Sequence, residues 1–345
     1  MRPARVLLLG LIATCAVGAV ACGGGGAAAA SNVELHGAGA SFPYPLYDRW
    51  FKDYVGSHPN TTVDYQSVGS GAGITQFTNK TVDFGASDAA MTDDEIAKVD
   101  RGVQLIPMTA GSIVLSYNLP DLSAPLRLSR KTYSGIFLGK ITKWDDPAVA
   151  ADNPGAKLPA LAITLVHRAD SSGTTYNMTS HLSAISPDWM AGPGTSKAPN
   201  WPTGIGSKGN EGVTSTLQQT PGAIGYVEYG YAKQSKLTMA VLENKVGKFV
   251  APTTASGQAA LGAAQLPDNL RLFLPDPEGA DAYPIVTYTW LLLYKNSDKP
   301  ASTAALKEIV KYCLTDGQKI SEEMGYIPLP PSVVTADLKA LDNVK

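Results

Sequence analysis

The sequence predicts an α/β protein with mainly parallel, mixed sheets, and three observations predict it. Short apolar runs alternate with segments whose apolar residues recur at helical spacing. Turns rich in glycine and hydroxyl residues sit where those runs end and helices begin, which is where open α/β sheets carry ligand loops. The chain of 345 residues is long enough for two domains.

The elements follow in order. Residues 1–30 are a leader and not part of the fold. Arg2 and Arg5 make a basic start, Val6–Val20 is apolar but too short to span a membrane comfortably, and Ala19-Val20-Ala21-Cys22 looks like a bacterial lipobox. The expectation is a lipoprotein signal peptide over 1–21, acylation at Cys22 and a flexible Gly/Ala tether over 22–31. An ordinary cleaved signal, with Cys22 incidental, is the alternative.

Ser41 reads as a helix N-cap with Pro43 in the first turn, and Leu46, Trp50 and Tyr54 give that helix one buried face. Thr62–Val68 reads as a strand, and Gly69–Gly73 turns into a short helix carrying Ile74 and Phe77. Ser112–Tyr117 is a buried strand, Lys131–Leu138 a helix and Ala162–His167 a strand. Ser172 caps the next helix, which holds Tyr176 and Leu182. Ala223–Tyr229 and Ile285–Tyr294 are further strands, and Thr303–Thr315 is helical. Asn153–Leu158 and Gly192–Gly209 read as surface loops.

Composition narrows the function. Charged residues are 17% of the chain and apolar residues 44%, the balance of a compact protein. Net charge is −2, and −4 once Arg2 and Arg5 leave (26 basic residues against 30 acidic), which argues against nucleic acid as a partner. No internal run is long enough to cross a membrane. Of Cys15, Cys22 and Cys313, the first leaves with the leader and the second takes lipid, so no disulfide is expected. Cys313 shares helical spacing with Leu306, Ile309 and Val310 and reads as a small buried hydrophobe.

Four segments share one chemistry. Arg168-Ala169-Asp170-Ser171-Ser172-Gly173-Thr174 packs a fixed cation, hydroxyls and a glycine into one turn. Gly37–Pro43 and Gly69–Gly73 are glycine- and serine-rich, and Asp88 ends Asp83-Phe84-Gly85-Ala86-Ser87-Asp88. Ser41, Ser70, Ser172 and Thr174 can donate O–H groups. Phe42, Gly173 and Thr174 can donate backbone N–H groups at helix starts, and Arg168 offers a charged fork that Asp170 can orient. A tetrahedral oxyanion needs such a set, because an unsatisfied buried anion is costly. Asp88 sharpens the choice: a carboxylate repels an anion unless that anion brings a proton, as hydrogen phosphate does and sulfate does not. Taken singly, each segment has a plainer reading: a tight turn, a helix cap, a solvated acid or a surface ion pair.

At these residues the chain resembles the periplasmic phosphate-binding proteins, the PstS-type substrate-binding subunits of ABC phosphate importers. The resemblance also rests on Phe137-Leu138-Gly139-Lys140-Ile141-Thr142-Lys143-Trp144, on Thr81–Asp88 and on Pro221-Gly222-Ala223-Ile224-Gly225-Tyr226-Val227-Glu228-Tyr229. It implies a type II-like periplasmic binding protein of two domains joined by a hinge, with domain I over 32–118 plus 284–345 and domain II over 119–283. The crossings would lie near Asn118 and Tyr283–Thr287. It implies that Ser41, Phe42, Ser70, Asp88, Arg168, Ser172, Gly173 and Thr174 contact phosphate and that Asp170 supports Arg168 from behind. It further implies permease subunits as partners, a lipid-anchored monomer on the extracytoplasmic side, and no cofactor. Three positions depart from the family pattern: Ser41 where threonine is common, Ser171 where glycine is common, and Gly71 where a second serine is common.

A secreted phosphatase and a binder or sensor of another oxyanion such as sulfate are the competing readings. Against an enzyme, His36, His58, His167 and His181 are scattered, and neither H-E-x-x-H nor G-x-S-x-G occurs. His167, at a strand end beside Arg168, reads as structural.

Overall fold

The computed structural model describes residues 32–122, 124–262 and 264–345. The leader, Cys22 and the whole tether fall outside the described residues. Strands are β1 (Val33–Gly39), β2 (Thr61–Ser67), β3 (Phe84–Ser87), β4 (Val103–Tyr117), β5 (Arg127–Leu128) and β6 (Thr164–Arg168). They continue with β7 (Ile205–Ser207), β8 (Ala223–Glu228), β9 (Thr238–Met239), β10 (Val241–Glu243), β11 (Phe249–Val250) and β12 (Val286–Tyr294). One sheet runs β2-β1-β3-β12-β4-β8-β6-β7 with β9 beside β4, and β11-β10-β5 form a small second sheet.

Both wings of the large sheet are parallel, as alternating strands and helices predict: β1 with β2 and β3, and β6 with β7 and β8. The middle is antiparallel, because β4 carries the chain out of one wing and β12 brings it back, running against both β3 and β4. β4 also serves two neighbours in succession. Val103–Ser112 pair with β12, and Ile113–Tyr117 pair with β8. β12 is buried at every residue, as a strand covered on both faces must be, whereas β2 at the edge alternates between half-buried and exposed.

The helical periodicity holds. Leu46, Trp50 and Tyr54 are buried on the helix Tyr44–Ser57, and the Trp50 indole N–H donates to the Gly317 carbonyl at 2.7 Å. Cys313 is buried on the helix Pro300–Leu314, and its burial raises the thiol pKa. Among the described residues no helix is long and apolar enough to cross a membrane.

Two expectations change. Ser41 does not cap the first helix, which starts at Tyr44 with Pro43 in the cap position. A turn intervenes, with the Tyr44 N–H donating to the Ser41 carbonyl at 3.2 Å, and the Ser41 hydroxyl bonds elsewhere. Gly192–Gly209 is more than a surface loop. It contains β7 and the half-buried Trp201, which stacks on His167 with 4.7 Å between ring centroids.

Candidate functional site

The predicted site residues lie on loops that follow the parallel strands. Ser41 and Phe42 follow β1, Ser70 follows β2 and Asp88 follows β3, while Arg168 ends β6 and Ser172–Thr174 open the helix after it. Close backbone packing sets these loops. A Cβ on Gly73 would stand 2.4 Å from the Gly39 Cα, so glycine there lets the helix Ser70–Thr78 seat against the end of β1. Ser172 caps the helix Gly173–Ile185 by accepting from the Thr175 N–H at 3.0 Å.

These side chains are buried and joined. Ser41, Ser70, Asp88, Arg168, Ser172 and Thr174 are each at most 3% exposed. The Ser70 hydroxyl accepts from the Asp88 N–H at 3.2 Å and from the Gly173 N–H at 3.0 Å, so it joins the loops after β2, β3 and β6. Thr174 Oγ1 accepts from Arg168 Nη1 at 3.3 Å and donates to Asp88 Oδ2 at 3.4 Å. Asp170 grips Arg168 with both oxygens, Nε donating to Oδ1 at 2.7 Å and Nη2 to Oδ2. The Gly209 N–H also donates to Asp170 Oδ1, at 3.0 Å. Phe42 enters through its backbone: its carbonyl accepts from Tyr326 Oη at 2.8 Å, while the Ser41 carbonyl accepts from Tyr231 Oη at 2.7 Å.

The electrostatics follow from burial. Burial pushes the Asp88 carboxyl up to about 7, against the partial relief of the Thr289 hydroxyl, the Arg168 charge and the Thr174 hydroxyl. Burial disfavours the Arg168 charge, yet the Asp170 carboxylate more than offsets it and holds the guanidinium pKa above its ordinary value. Burial also works against the Asp170 charge, and the Arg168 contact outweighs it, leaving the carboxyl below its usual range. The arrangement can present hydroxyl and backbone donors, one neutralised cation and one acid able to take a proton near neutrality.

Four further residues belong to this network. Thr289 on β12 donates to Asp88 Oδ1 at 3.0 Å, and Asn177 Nδ2 donates to the Asp88 carbonyl at 2.6 Å. Tyr226 Oη accepts from the Arg168 N–H at 3.1 Å and bonds the Thr175 hydroxyl. Asn210, fully buried, donates from its backbone N–H and from Nδ2 to Ser41 Oγ at 3.1 and 3.0 Å. The only sequence signals were a threonine inside an apolar strand and an asparagine just past a Gly-rich loop. His167 stays outside the network, stacked on Trp201 with Nδ1 at 3.0 Å from the Arg168 carbonyl. Among the described residues no group of three His, Cys, Asp or Glu side chains is placed to hold a metal ion.

Comparison with known proteins agrees with this architecture. Residues 25–316 match the model of the PBP superfamily domain. The chain is 43% identical over 303 residues to the phosphate-binding protein PstS of Pasteurella multocida (strain Pm70), covering 87% of each. To the phosphate-binding protein PstS of Xylella fastidiosa (strain Temecula1) it is 40% identical over 306 residues, 88% of this chain and 83% of that one. Its fold is similar to the phosphate-binding protein from Stenotrophomonas maltophilia, with a TM-score of 0.73 at 19% identity over 89% of this chain and 93% of that one.

Proposed function

Because the chain belongs to the PstS family of phosphate-binding proteins within the PBP superfamily, we propose that it binds inorganic phosphate at this network and delivers it to the permease subunits of an ABC importer. It is a binding protein and not an enzyme. In this reading Ser41, Ser70 and Ser172 donate O–H groups, Phe42 and Thr174 donate backbone N–H groups, and Arg168 supplies the charge, while the Thr174 hydroxyl and the Gly173 N–H are held by Asp88 and Ser70. Asp88 accepts the proton of hydrogen phosphate and repels an anion that has none.

One observation carries the reading. The Thr174 hydroxyl accepts from Arg168 and donates to Asp88, so a buried cation and a buried acid face one point. An acid so placed makes sense for a ligand that is both anionic and a proton donor. Isothermal titration tests it: phosphate should bind one to one, with sulfate rejected by roughly 10⁴-fold or more. Sulfate binding within tenfold of phosphate would overturn it.

Two lobes, 32–118 plus 284–345 and 119–283, move about the crossings near Asn118 and Tyr283–Thr287. β4 changes partner between Ser112 and Ile113, five residues before Asn118, which supports a joint along this stretch of the strand. Contacts from both lobes make closure depend on ligand, since only differential binding shifts such an equilibrium. Small-angle scattering should show the radius of gyration falling on addition of phosphate; an unchanged radius removes the hinge. Acylated Cys22 holds the monomer on the extracytoplasmic membrane face, and Cys22→Ala should release it from membranes.

A further inference from the structure

A hydroxyl has one proton and two lone pairs. When two N–H groups occupy both lone pairs, the only bond it can still make is to donate. Ser41 Oγ is in that state, because the backbone N–H and the Nδ2 of Asn210 both donate to it. Thr174 Oγ1 is in the same state, accepting from Arg168 Nη1 and, at 3.3 Å, from Asn210 Nδ2. One amide nitrogen therefore controls the polarity of two hydroxyls from different loops.

The direction of that amide is fixed from behind. Asn210 Oδ1 accepts from the Glu228 N–H at 2.9 Å. A backbone N–H can only donate, so the oxygen must face Glu228 and the NH₂ must face the hydroxyls. Asn210 is the second residue of the helix Gly209–Gln219, and Gly209 is itself held by Asp170. The arrangement thus runs from β8 through one side chain to Ser41 and Thr174.

We propose that Asn210 is a positioning residue that makes the Ser41 and Thr174 hydroxyls obligate donors, and so fixes which phosphate oxygen carries the proton. The Thr174 proton goes to Asp88. The Ser41 proton is left for the ligand and can meet only an unprotonated oxygen. The proton of hydrogen phosphate is then directed to Asp88. This inference rests on the phosphate-binding reading above.

The test is a double-mutant cycle read by phosphate titration at fixed pH. Asn210→Ala should weaken phosphate binding about tenfold in the native background, the ratio that 1.4 kcal/mol represents. In a Ser41→Ala background, where there is no proton to direct, the same change should cost about threefold or less, a coupling of the kind contacting residues show. Equal losses in the two backgrounds would overturn the proposal, since a structural role does not depend on the Ser41 proton. Asn210→Asp guards against misfolding, because its Oδ1 keeps the Glu228 bond while the other oxygen accepts where Nδ2 donated. It should melt like the native protein and bind phosphate more weakly than Asn210→Ala; phosphate binding as tight as native overturns the proposal too. If the native protein itself fails to bind phosphate, the parent reading falls; if it binds and the cycle is additive, only this inference falls.

Discussion

The two wings of the sheet bring opposite chemistry to one place. The loops after β1, β2 and β3 bring hydroxyls and an acid, Asp88, but no cation. The loop after β6 brings Arg168 together with its own counter-ion, Asp170. Counted with every group ionised, the three charges sum to a net negative site. In the proposed reading, attraction for the anion therefore comes from aimed donors and not from net charge. Neither wing is an anion site alone: one repels, and the other is already neutralised.

Removing the cation breaks that comparison most severely. Arg168→Ala leaves the half-buried Asp170 without its partner beside an anion. Truncating one member of a buried, hydrogen-bonded charge pair costs about 2–5 kcal/mol, which is roughly thirty- to several-thousandfold in phosphate affinity. Titration calorimetry reads it directly, and affinity within about threefold of native would mean that donors alone suffice.

Removing the acid sharpens it. Asp88→Asn keeps an acceptor and deletes the repulsion, so sulfate should begin to compete with phosphate. Unchanged selectivity would refute the role of Asp88. The same variant has a pH signature in the ligand-free protein. The folded carboxyl holds its proton up to about 7, whereas its ordinary value is 3.8. Folding therefore takes up a proton in this window. The Asp88 contribution is full below pH 4 and is lost as pH rises through 7, by on the order of 4 kcal/mol. Burial raises Glu228 and Asp337 as well, with the same sign, so the difference between native and Asp88→Asn isolates one group. Denaturant melts from pH 4.5 to 8 should nearly coincide at low pH, where Asp88 is neutral as asparagine is, and separate at high pH with the native protein the less stable; parallel stability curves would remove Asp88 from this role.

The wings also meet sterically, and there two departures from the family pattern answer each other. A Cβ on Gly71 would stand 2.1 Å from Ser171 Oγ. The side chain present at 171 occupies the space that a side chain at 71 would need. Gly71→Ser should therefore destabilise the packing of these two loops by about 1–3 kcal/mol, as overpacking does. Ser171→Gly should restore most of that loss. Additive effects on phosphate affinity in the double variant would show that the two positions do not meet.

How much of this was legible in the sequence depended on distance along the chain. Arg168, Asp170 and Thr174 lie within one turn, so their residue types announced a shared purpose. Ser41, Ser70 and Asp88 were found because each sits in its own glycine-rich strand-to-helix junction. Thr289 gave no such signal. It lies in a run where every residue is buried, and a threonine there satisfies strand propensity as well as function. Asn210 was lost at a loop boundary, since the Gly, Ser and Lys residues before it read as solvent-exposed chain. Local composition cannot report that β7 carries that loop back beneath the site. The antiparallel middle of the sheet was hidden for the same reason, because strand direction there is a property of the crossing and not of the residues in it.

The smallest expected effect tests what else ties the wings together. Lys197 Nζ meets Glu95 Oε1 at 2.6 Å, with the two side chains 18% and 26% exposed. Glu95 opens from the β3 side, on the short helix Asp93–Ala97, where it also completes a capping box with Thr92. Lys197 comes from the β6 side, and its backbone carbonyl accepts the Ser172 N–H at 2.9 Å. Burial works against the Glu95 charge, but the Lys197 and Thr92 contacts prevail and lower its pKa. Its stabilising contribution is therefore present above the ordinary carboxylate range and lost as pH falls through it. Lys197→Met removes the ion pair and keeps the carbonyl that holds the Ser172 turn. A part-exposed pair is worth about 1 kcal/mol or less, so phosphate affinity should fall by no more than about fivefold. The loss should shrink further in 1 M salt, where screening acts within about 3 Å. A loss beyond tenfold that persists in salt would mean that this pair, and not the ligand, does most to hold the two wings together.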